Sequence, residues 1–466
     1  MVTIYNLMYF TGVLGFIVGL QRLGHPATAK KGNLFAAGGM VLAILASFTT
    51  PLEGSHGNYL WIFTGLILGT IIGYRAATKV QMTEMPQLVS LFNGLGGACA
   101  VLISLIEVLM KGNEGIPVLG LISLLLTLSI GSVAFSGSLV AWAKLDGRLR
   151  DKTLVPPYPH IFNLIVLVAC VGMIIFLSFD QSLLFPLLMV LMLISLVYGI
   201  TFVAPIGGAD MPVVISLLNS FTGLTAALAG LIYDNQLMLM GGILVGSSGI
   251  ILTVLMCKAM NRSLGNVLMG AFGSSNSSTT SAGEDHRQAK ELSKPDASIL
   301  LAYSSSVMVV PGYGLAVAQA QRVCKDLDNE LSSRGVHLSY AIHPVAGRMP
   351  GHMNVLLAEV DVPYEKLMDL DQANEALPNV DVVLVIGAND VVNPSAREDS
   401  NSPIYGMPIL NVDQAGKVLV LKRSMSPGYA GVQNPLFFND NTFMLFGDAK
   451  ASLGELLAEM KTGVLV

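Results

Sequence analysis

The stretch SVMVVPGYGLAVAQAQRVCKDLDNELSSRG, Ser306–Gly335, decides how the C-terminal part of this chain folds. Its opening residues, Val307–Val310, are a short apolar run of the kind a fully buried strand makes. Gly312 and Gly314 then break the run. The residues after them carry apolar positions at helical spacing, which predicts an amphipathic helix to about Ser333. Further strands are expected in VHLSYAI (336–342), DVVLVIGAND (381–390), PILN (408–411), KVLVLKRS (417–424) and TFMLFGD (442–448), with AKASLGELLAEM (449–460) as a closing helix. Continuous apolar strands alternating with helices imply a parallel sheet covered on both faces. The pattern is that of a doubly wound α/β domain.

Upstream the composition changes. The segment GAFGSSNSSTTSAGEDHRQAKELSKPDA, Gly270–Ala297, is dominated at first by Ser, Gly and Thr and reads as a tether. Before it lie nine apolar runs, at about 3–20, 33–50, 59–76, 86–110, 117–142, 161–179, 183–203, 212–232 and 237–257. Each is close to the roughly 20 residues that cross a bilayer. The whole chain of 466 residues is 53% hydrophobic and only 12% charged, against roughly 25% charged in a soluble chain. The expected organisation is a transmembrane domain over 1–262, a flexible linker over 263–297 and a soluble nucleotide-binding domain over 298–466. The first run lacks a basic lead-in and a small-residue cleavage site, so it is expected to be a retained helix.

Charge sets the expected orientation. Loops after the odd-numbered runs hold eleven Lys and Arg, from Arg22 to Arg262, and the opposite loops hold only Lys111. That bias puts the N-terminus outside and the C-terminal domain in the cytoplasm, or in the mitochondrial matrix if the chain is organellar. A net charge of −5 argues against a nucleic-acid partner. The four cysteines form no CxxC and no metal spacing, and are expected to be buried small residues with no redox role.

Two stretches in the membrane part resemble each other: EMPQLVSLFN, Glu84–Asn93, and DMPVVISLLN, Asp210–Asn219. Each reads as a helix start, with an acidic residue at the positive end and Pro in the first turn. The asparagine nine residues on then lies roughly 13 Å deep. Spans four and eight run in the same direction, which suggests a parallel internal duplication. All seven histidines fall outside the expected spans, so no histidine of this chain can relay a proton through the membrane. Glu107 sits near the outer end of the fourth span.

In the soluble part the first turn carries GxGxxV, Gly312, Gly314 and Val317, which suits a close approach of backbone to a pyrophosphate. An NAD site expects an acidic residue at the end of the second strand. Here that place holds AIHPVAGRMPGH, with His343 and Arg348 but no carboxylate. Lys422, Arg423 and Ser424 offer two cations and a hydroxyl at another strand end, which suits a dianionic phosphate. The pair of observations favours NADP(H) over NAD(H). Two other readings of spans plus a nucleotide-binding unit are a nucleotide-gated ion channel or transporter and a membrane anchor for a dehydrogenase. No TVGYG-type filter is present to favour the channel.

RLGHPATAKKGN, MTEMP, LLNSFTGLTAALAG, CKAMNRS, PGYGLAVAQAQ, HPVAGRMPGHMNVLLAEVDVPY, VIGANDVVNP, LKRSMSPGYAGVQNP and MLFGDAK together carry a resemblance over nearly the whole chain. They resemble the beta subunits of proton-translocating NAD(P)+ transhydrogenases. The resemblance implies a polytopic α-helical membrane domain of nine transmembrane helices plus a C-terminal Rossmann-like NADP(H)-binding domain. It implies an alpha-subunit partner that binds NAD(H), a dimer of alpha–beta assemblies in the lipid of the bacterial inner membrane, and direct hydride transfer coupled to inward proton flow. No acid, base or nucleophile is then needed on this chain, since the cofactors carry the chemistry.

By the same resemblance, Gly312, Tyr313, Gly314, Leu315, Ala316 and Val317 would line the pyrophosphate turn. Arg348, Met349 and Pro350 would flank the cofactor. Gly387, Ala388, Asn389 and Asp390 would sit at its edge, with Asp390 sensing its redox state. Lys422, Arg423 and Ser424 would hold the 2′-phosphate, Gly428 and Tyr429 would form a lid, and Gly447, Asp448 and Ala449 would complete the site. Some chains of this family carry a membrane histidine where this one has Asn93, so the relay histidine is expected on the partner. Asn93 and Asn219 would order the proton path, and Asp210 with Arg262 would pair to couple the two domains.

Overall fold

A computed structural model describes residues 2–23, 26–49, 58–111, 116–149, 154–181, 183–207, 210–261, 265, 289–348, 351–428 and 430–462. The chain divides into two compact units: Met1–Asp146 with Ile161–Thr201 and Leu217–Ile250, and Gly147–His160 with Phe202–Ser216 and Ile251–Val466. Nine helices coincide with the nine expected runs: α1 Val2–Leu23, α2 Pro26–Thr49, α3 Tyr59–Lys79, α4 Met85–Lys111, α5 Val118–Leu145, α6 Pro159–Phe179, α7 Leu184–Val203, α8 Met211–Ile232 and α9 Gln236–Ala259. Among the described residues, seven of them, α3 to α9, are long and apolar enough to cross a membrane.

In the first unit the helices meet through glycine. A Cβ on Gly97 of α4 would fall 2.6 Å from the Gly131 carbonyl of α5, and one on Gly223 of α8 would fall 2.4 Å from Gly246 N of α9. Lipid gives helices no hydrophobic reason to associate, so such close backbone contact supplies the attraction. α5 adds buried hydroxyls: Ser129 Oγ bonds Ser195 Oγ at 2.7 Å, and Ser136 Oγ donates to the Leu196 carbonyl at 2.8 Å. Leu121, Leu124, Leu125 and Leu128 fill the space between these contacts, against Leu177, Leu188 and Leu191.

The second unit holds a six-stranded, all-parallel sheet in the order β3-β2-β1-β4-β5-β6. The strands are β1 Ser306–Pro311, β2 His337–Ala341, β3 Leu367–Met368, β4 Val382–Ile386, β5 Lys417–Lys422 and β6 Thr442–Phe446. Val382–Ile386 is buried at every position, as a strand covered on both faces must be. The direction of strand addition reverses between β1 and β4, which opens a crevice at their carboxyl ends.

Three local expectations are corrected. PILN is not a strand. Its Leu410 N–H bonds the Val391 carbonyl, while Asn374 takes up Ile409 O and Asn411 N, so loop contacts satisfy the backbone that a ladder would otherwise hold. The sixth strand is instead the two-residue Leu367–Met368, too short to show a period. The expected single helix after Gly314 is two, Tyr313–Val317 and Gln321–Ser333. Gln319 takes a left-handed φ of 49° between them, and Ala320 N–H closes back on the Leu315 carbonyl at 3.1 Å. The last part of the expected tether is also folded: Glu291 bridges to Met444 of β6, and Ser293 caps a helix over Lys294–Ala302. The rest of the tether that was read from composition, 266–288, lies outside the described residues.

Candidate functional site

The crevice is made by two turns that interlock. Gly312 N–H donates to Ile386 O at 2.9 Å and Gly314 N–H to Gly387 O at 3.0 Å. A Cβ on Gly314 would lie 2.6 Å from Gly387 Cα, and one on Gly387, whose φ is +62°, would lie 2.4 Å from Gly314 Cα. The glycines therefore let the ends of β1 and β4 touch backbone to backbone. The N–H groups of Gly312 and Gly314 are spent on that contact. Their part is spacing, and a phosphate must find its donors elsewhere. Leu315 and Ala316 point into the core, whereas Val317 is exposed.

At the end of β2 the expected Arg348 is held from two sides. Its guanidinium lies 4.6 Å over the Tyr313 ring, and its N–H donates to His352 Nδ1 at 3.0 Å. The His352 ring sits 6.1 Å from Tyr313. Burial and then the Arg348 charge push the His352 pKa down, so the ring stays neutral with its proton on Nε2. Gly347, at φ +110°, is needed because a Cβ would lie 2.6 Å from the His352 side chain. Among the described residues that follow β2 up to Arg348, none is a carboxylate. Met349 and Pro350 lie outside the described residues.

His343 starts the same loop and is buried. It bonds Pro408 O through Nε2 at 2.8 Å and accepts Val345 N–H at Nδ1, 3.2 Å. Burial lowers its pKa from 6.5 to about 4, against the smaller opposite pull of the Pro408 carbonyl. The unfolded chain thus binds a proton that the folded one refuses. The stability tied to neutral His343 is complete above 6.5 and is lost as pH falls toward about 4. The loss amounts to about 3 kcal/mol at most. Denaturant unfolding of the second unit, followed from neutral to mildly acidic pH, is expected to show this slope. His343→Gln should flatten it while lowering stability at neutral pH.

On the other side of the crevice, Asp390 Oδ2 accepts Ala430 N–H at 3.0 Å. Asn393 Nδ2 donates to Gln433 O at 3.1 Å, and Asn434 Nδ2 to Asn389 O at 3.1 Å. A Cβ on Gly428 would meet Asp390 Oδ1 at 2.2 Å. The 423–434 segment is thereby fastened along the loop after β4. Tyr429 lies outside the described residues.

The three residues read as a phosphate site divide. Lys422 is half-buried, with Nζ 4.9 Å over the Phe437 ring and bonded to the Ser426 carbonyl. Burial pushes its pKa down, opposed by the Asp390 charge. Arg423 and Ser424 are exposed. Arg423 is 3.9 Å from Asp448, with its side chain 64% accessible, so the pair holds it weakly. Asp448 itself caps the last helix, Ala449–Thr462, by accepting Lys450 N–H at 3.0 Å. Gly447 takes φ +151° before it and Ala449 is buried behind it.

In the membrane helices, Asn93 is buried and its carbonyl accepts Thr222 Oγ1 at 3.1 Å, one turn past the half-buried Asn219. Glu107, the one acidic residue within the nine helices, is buried and bonded to Tyr233. Asp210 lies within electrostatic reach of Cys257 near the end of α9, and Arg262 lies outside the described residues. All four cysteines are free; Cys99 is exposed where burial was expected. Among the described residues no group of His, Cys, Asp or Glu could hold a metal.

The pattern of the NAD(P) transhydrogenase beta subunit family matches residues 5–459. The chain belongs to that family. It is 45% identical over 456 residues to the NAD(P) transhydrogenase subunit beta of Rhodospirillum rubrum, covering 96% of this chain and 97% of the relative. The same protein from a named strain of that species matches equally. A beta subunit serves a membrane transhydrogenase, which moves hydride between NADH and NADP+ in step with inward proton translocation and needs an alpha partner.

Sequence reasoning missed His352, Asn393, Asn434 and Ala430 as parts of the site. The signal for His352 was available: Gly347 and Gly351 bracket Arg348 within HPVAGRMPGH, which marks a turn that some nearby side chain must hold. The others act through single backbone contacts, which leave no pattern in composition.

Proposed function

We propose that this chain supplies the NADP(H) site and much of the proton path of the transhydrogenase. The observation that carries the reading is the interlocked glycine crevice, with no carboxylate at the end of β2 and with Arg423 and Ser424 exposed at the end of β5. A 2′-phosphate needs cations where a free ribose needs an acid. The strand order 3-2-1-4-5-6 supports a Rossmann-like domain. Gly312, Gly314 and Gly387 leave room for the pyrophosphate, with Tyr313, Leu315, Ala316, Val317 and Ala388 around it. Arg348 flanks it with Met349 and Pro350, and Arg423, Ser424 and Lys422 stand at the phosphate end. Asp390 holds Ala430 and packs against Gly428, Gly428 with Tyr429 would form the lid, and Gly447, Asp448 and Ala449 close the far side. When bound, NADP(H) supplies the hydride or accepts it. The protein's part is to orient that cofactor and keep water from it.

The membrane domain spans 1–262 with nine crossings, the linker runs from 263 to 297 with its last residues docked on the sheet, and the NADP(H) domain covers 298–466. NAD(H) binds the alpha subunit, the working unit is a dimer of alpha–beta assemblies, and the chain sits in a bacterial inner membrane with its N-terminus outside. Eleven cations on one side against one on the other support that orientation. Asn93 and Asn219 order the proton path, the relay histidine lies on the partner, and Asp210 pairs with Arg262 to couple the domains.

The test is reconstitution with the alpha subunit in vesicles. Reduction of thio-NADP by NADH is followed alongside internal pH. With both nucleotides in the bath and the nucleotide domain facing it, hydride transfer with a rise in internal pH supports the reading, and ion flux without hydride transfer would return the chain to a gated channel. In the same vesicles Asp210→Lys should leave hydride transfer in place and abolish the pH change; unchanged pumping would remove the coupling role of the pair.

A further inference from the structure

Glu107 is the one acidic residue within the nine helices, and it stands apart from the nucleotide crevice in the chain. It is buried, near the end of α4. A carboxylate inside a membrane helix is costly and marks an ion or proton route by default. Glu107 lies 14 residues after Asn93. That is about four turns, so the two share one face of α4, roughly 21 Å apart. Gly97, Ala100 and Ser104 lie between them on that face, and all five positions are buried.

α8 repeats the arrangement. Asn219 follows Asn93 by 126 residues, and Tyr233 follows Glu107 by the same 126. The likeness of EMPQLVSLFN and DMPVVISLLN therefore extends in register to the far ends of both helices. Asn219, Thr222, Ala226, Ala229 and Tyr233 recur at helical spacing along one face, and the Tyr233 N–H continues the helix by donating to the Ala229 carbonyl at 3.1 Å. The two faces meet at both ends. Thr222 Oγ1 donates to the Asn93 carbonyl at 3.1 Å, and the Tyr233 hydroxyl bonds the Glu107 carboxylate. Between these contacts no side chain on either face is longer than that of Ser104. The seam thus joins a polar pair at mid-depth to a carboxylate at the far end. Tyr233 is 46% accessible and Glu107 8%, so the buried carboxylate is bonded to a residue that the far side can reach. On the α5 side, Val108 packs with Ile116 and Leu121, and α5 brings no charge before Lys144. The other titratable residues that the sequence puts at this end of α4, α6 and α8 are Lys111, Glu114, Asp180 and Asp234.

We propose that Glu107 is the proton-holding group at the outer end of the path: its carboxylate takes a proton from the outer water and passes it along the α4–α8 seam toward Asn93 and Asn219. The step breaks one O–H bond of a hydronium ion and makes one on the carboxylate. Release inward reverses it, and no electron moves. Tyr233 is a positioning residue, whose hydroxyl holds the carboxylate while it is empty. This rests on the reading of the chain as a proton path with the Glu107 end outside.

The experiment uses the alpha–beta complex in vesicles with the nucleotide domain facing the bath, which turns Glu107 toward the lumen. Excess NADH keeps the reduction of thio-NADP far from equilibrium. The readouts are the coupled rate with its rise in internal pH, the dependence of that rate on lumen pH at fixed bath pH, and hydride exchange between NADH and an oxidised NAD analogue at saturating NADPH, which carries no proton across. Glu107→Gln keeps the shape and an acceptor for Tyr233 but cannot take the proton. It is expected to slow the coupled reaction about tenfold or more and to flatten the rise in rate that the wild type shows as the lumen is acidified, with exchange held within about twofold. Glu107→Asp keeps the carboxylate and should keep the lumen-pH dependence. Tyr233→Phe should cost less than about threefold and keep it too. A full coupled rate in Glu107→Gln overturns the proposal. So does loss of exchange in step with the coupled rate, or a loss in Tyr233→Phe equal to that in Glu107→Gln, because the bond and not the proton would then matter. If Asn93→Leu abolishes the pH change and Glu107→Gln does not, the proposal alone fails. If neither variant alters it, the underlying reading of this seam as the proton path fails with it.

Discussion

Gly387→Val is expected to raise the Kd for NADPH by about a hundredfold or more, from strain and overpacking of about 3 kcal/mol together. Two costs combine at this position. The backbone sits at φ +62°, where a β-branched residue is strained. The new Cβ would also lie 2.4 Å from Gly314 Cα and 2.7 Å from Gly314 C. Those are backbone atoms, so no side chain can swing aside. Relief comes only by parting the ends of β1 and β4, which breaks the Gly314 N–H bond to Gly387 O and reshapes the crevice. Gly454, in the last helix, is the control. A Cβ there meets nothing within 4 Å, so Gly454→Ala should leave binding alone and stabilise the fold by roughly 0.5–1 kcal/mol. Titration of both variants against NADPH, beside their unfolding curves, checks the contrast. Wild-type affinity in Gly387→Val would show that the two turns need not touch.

The same crevice shows what the sequence made legible. The strands β1, β2, β4, β5 and β6 were readable because each is an apolar run bounded by turn residues, and the nine long helices because each is a long apolar run, seven of which, among the described residues, are long and apolar enough to cross a membrane. Gly312 and Gly314 were readable as a tight turn, but the second half of the cradle, Gly387, sits 73 residues further on, and nothing local says that it meets Gly314. Tertiary pairing also explains the other differences. Leu367–Met368 becomes a strand only because β2 offers it an edge, and PILN fails to become one because Asn374 and Val391 reach its backbone first. Asp448, expected beside the cofactor, also caps the last helix, a role that the following AKASLGELL run announces. The KRS tripeptide could not be divided from sequence. Phe437, which holds Lys422, lies 15 residues away and carries no mark of that role.

That division of KRS gives the second large effect. Arg423→Ala is expected to weaken NADPH binding by about 2–3 kcal/mol, some 30- to 150-fold, as loss of a charge-assisted contact to phosphate should. Binding of NADH, which lacks the 2′-phosphate, should change by less than about threefold, because a long exposed side chain otherwise contributes little. Lys422→Met should behave differently. Lys422 Nζ bonds the Ser426 carbonyl and lies 4.9 Å over Phe437, so it shapes the turn that presents its neighbours. Those two contacts already occupy its Nζ, which leaves it less free than Arg423 to face a phosphate. Its loss should therefore weaken both nucleotides, and NADPH more than NADH only to the extent that Arg423 and Ser424 are displaced. The ratio of the two affinities separates the roles: it collapses in Arg423→Ala and is largely kept in Lys422→Met. Should the ratio collapse equally in both, Lys422 must turn outward to the phosphate when NADP(H) binds, and the Ser426 contact is the one it gives up.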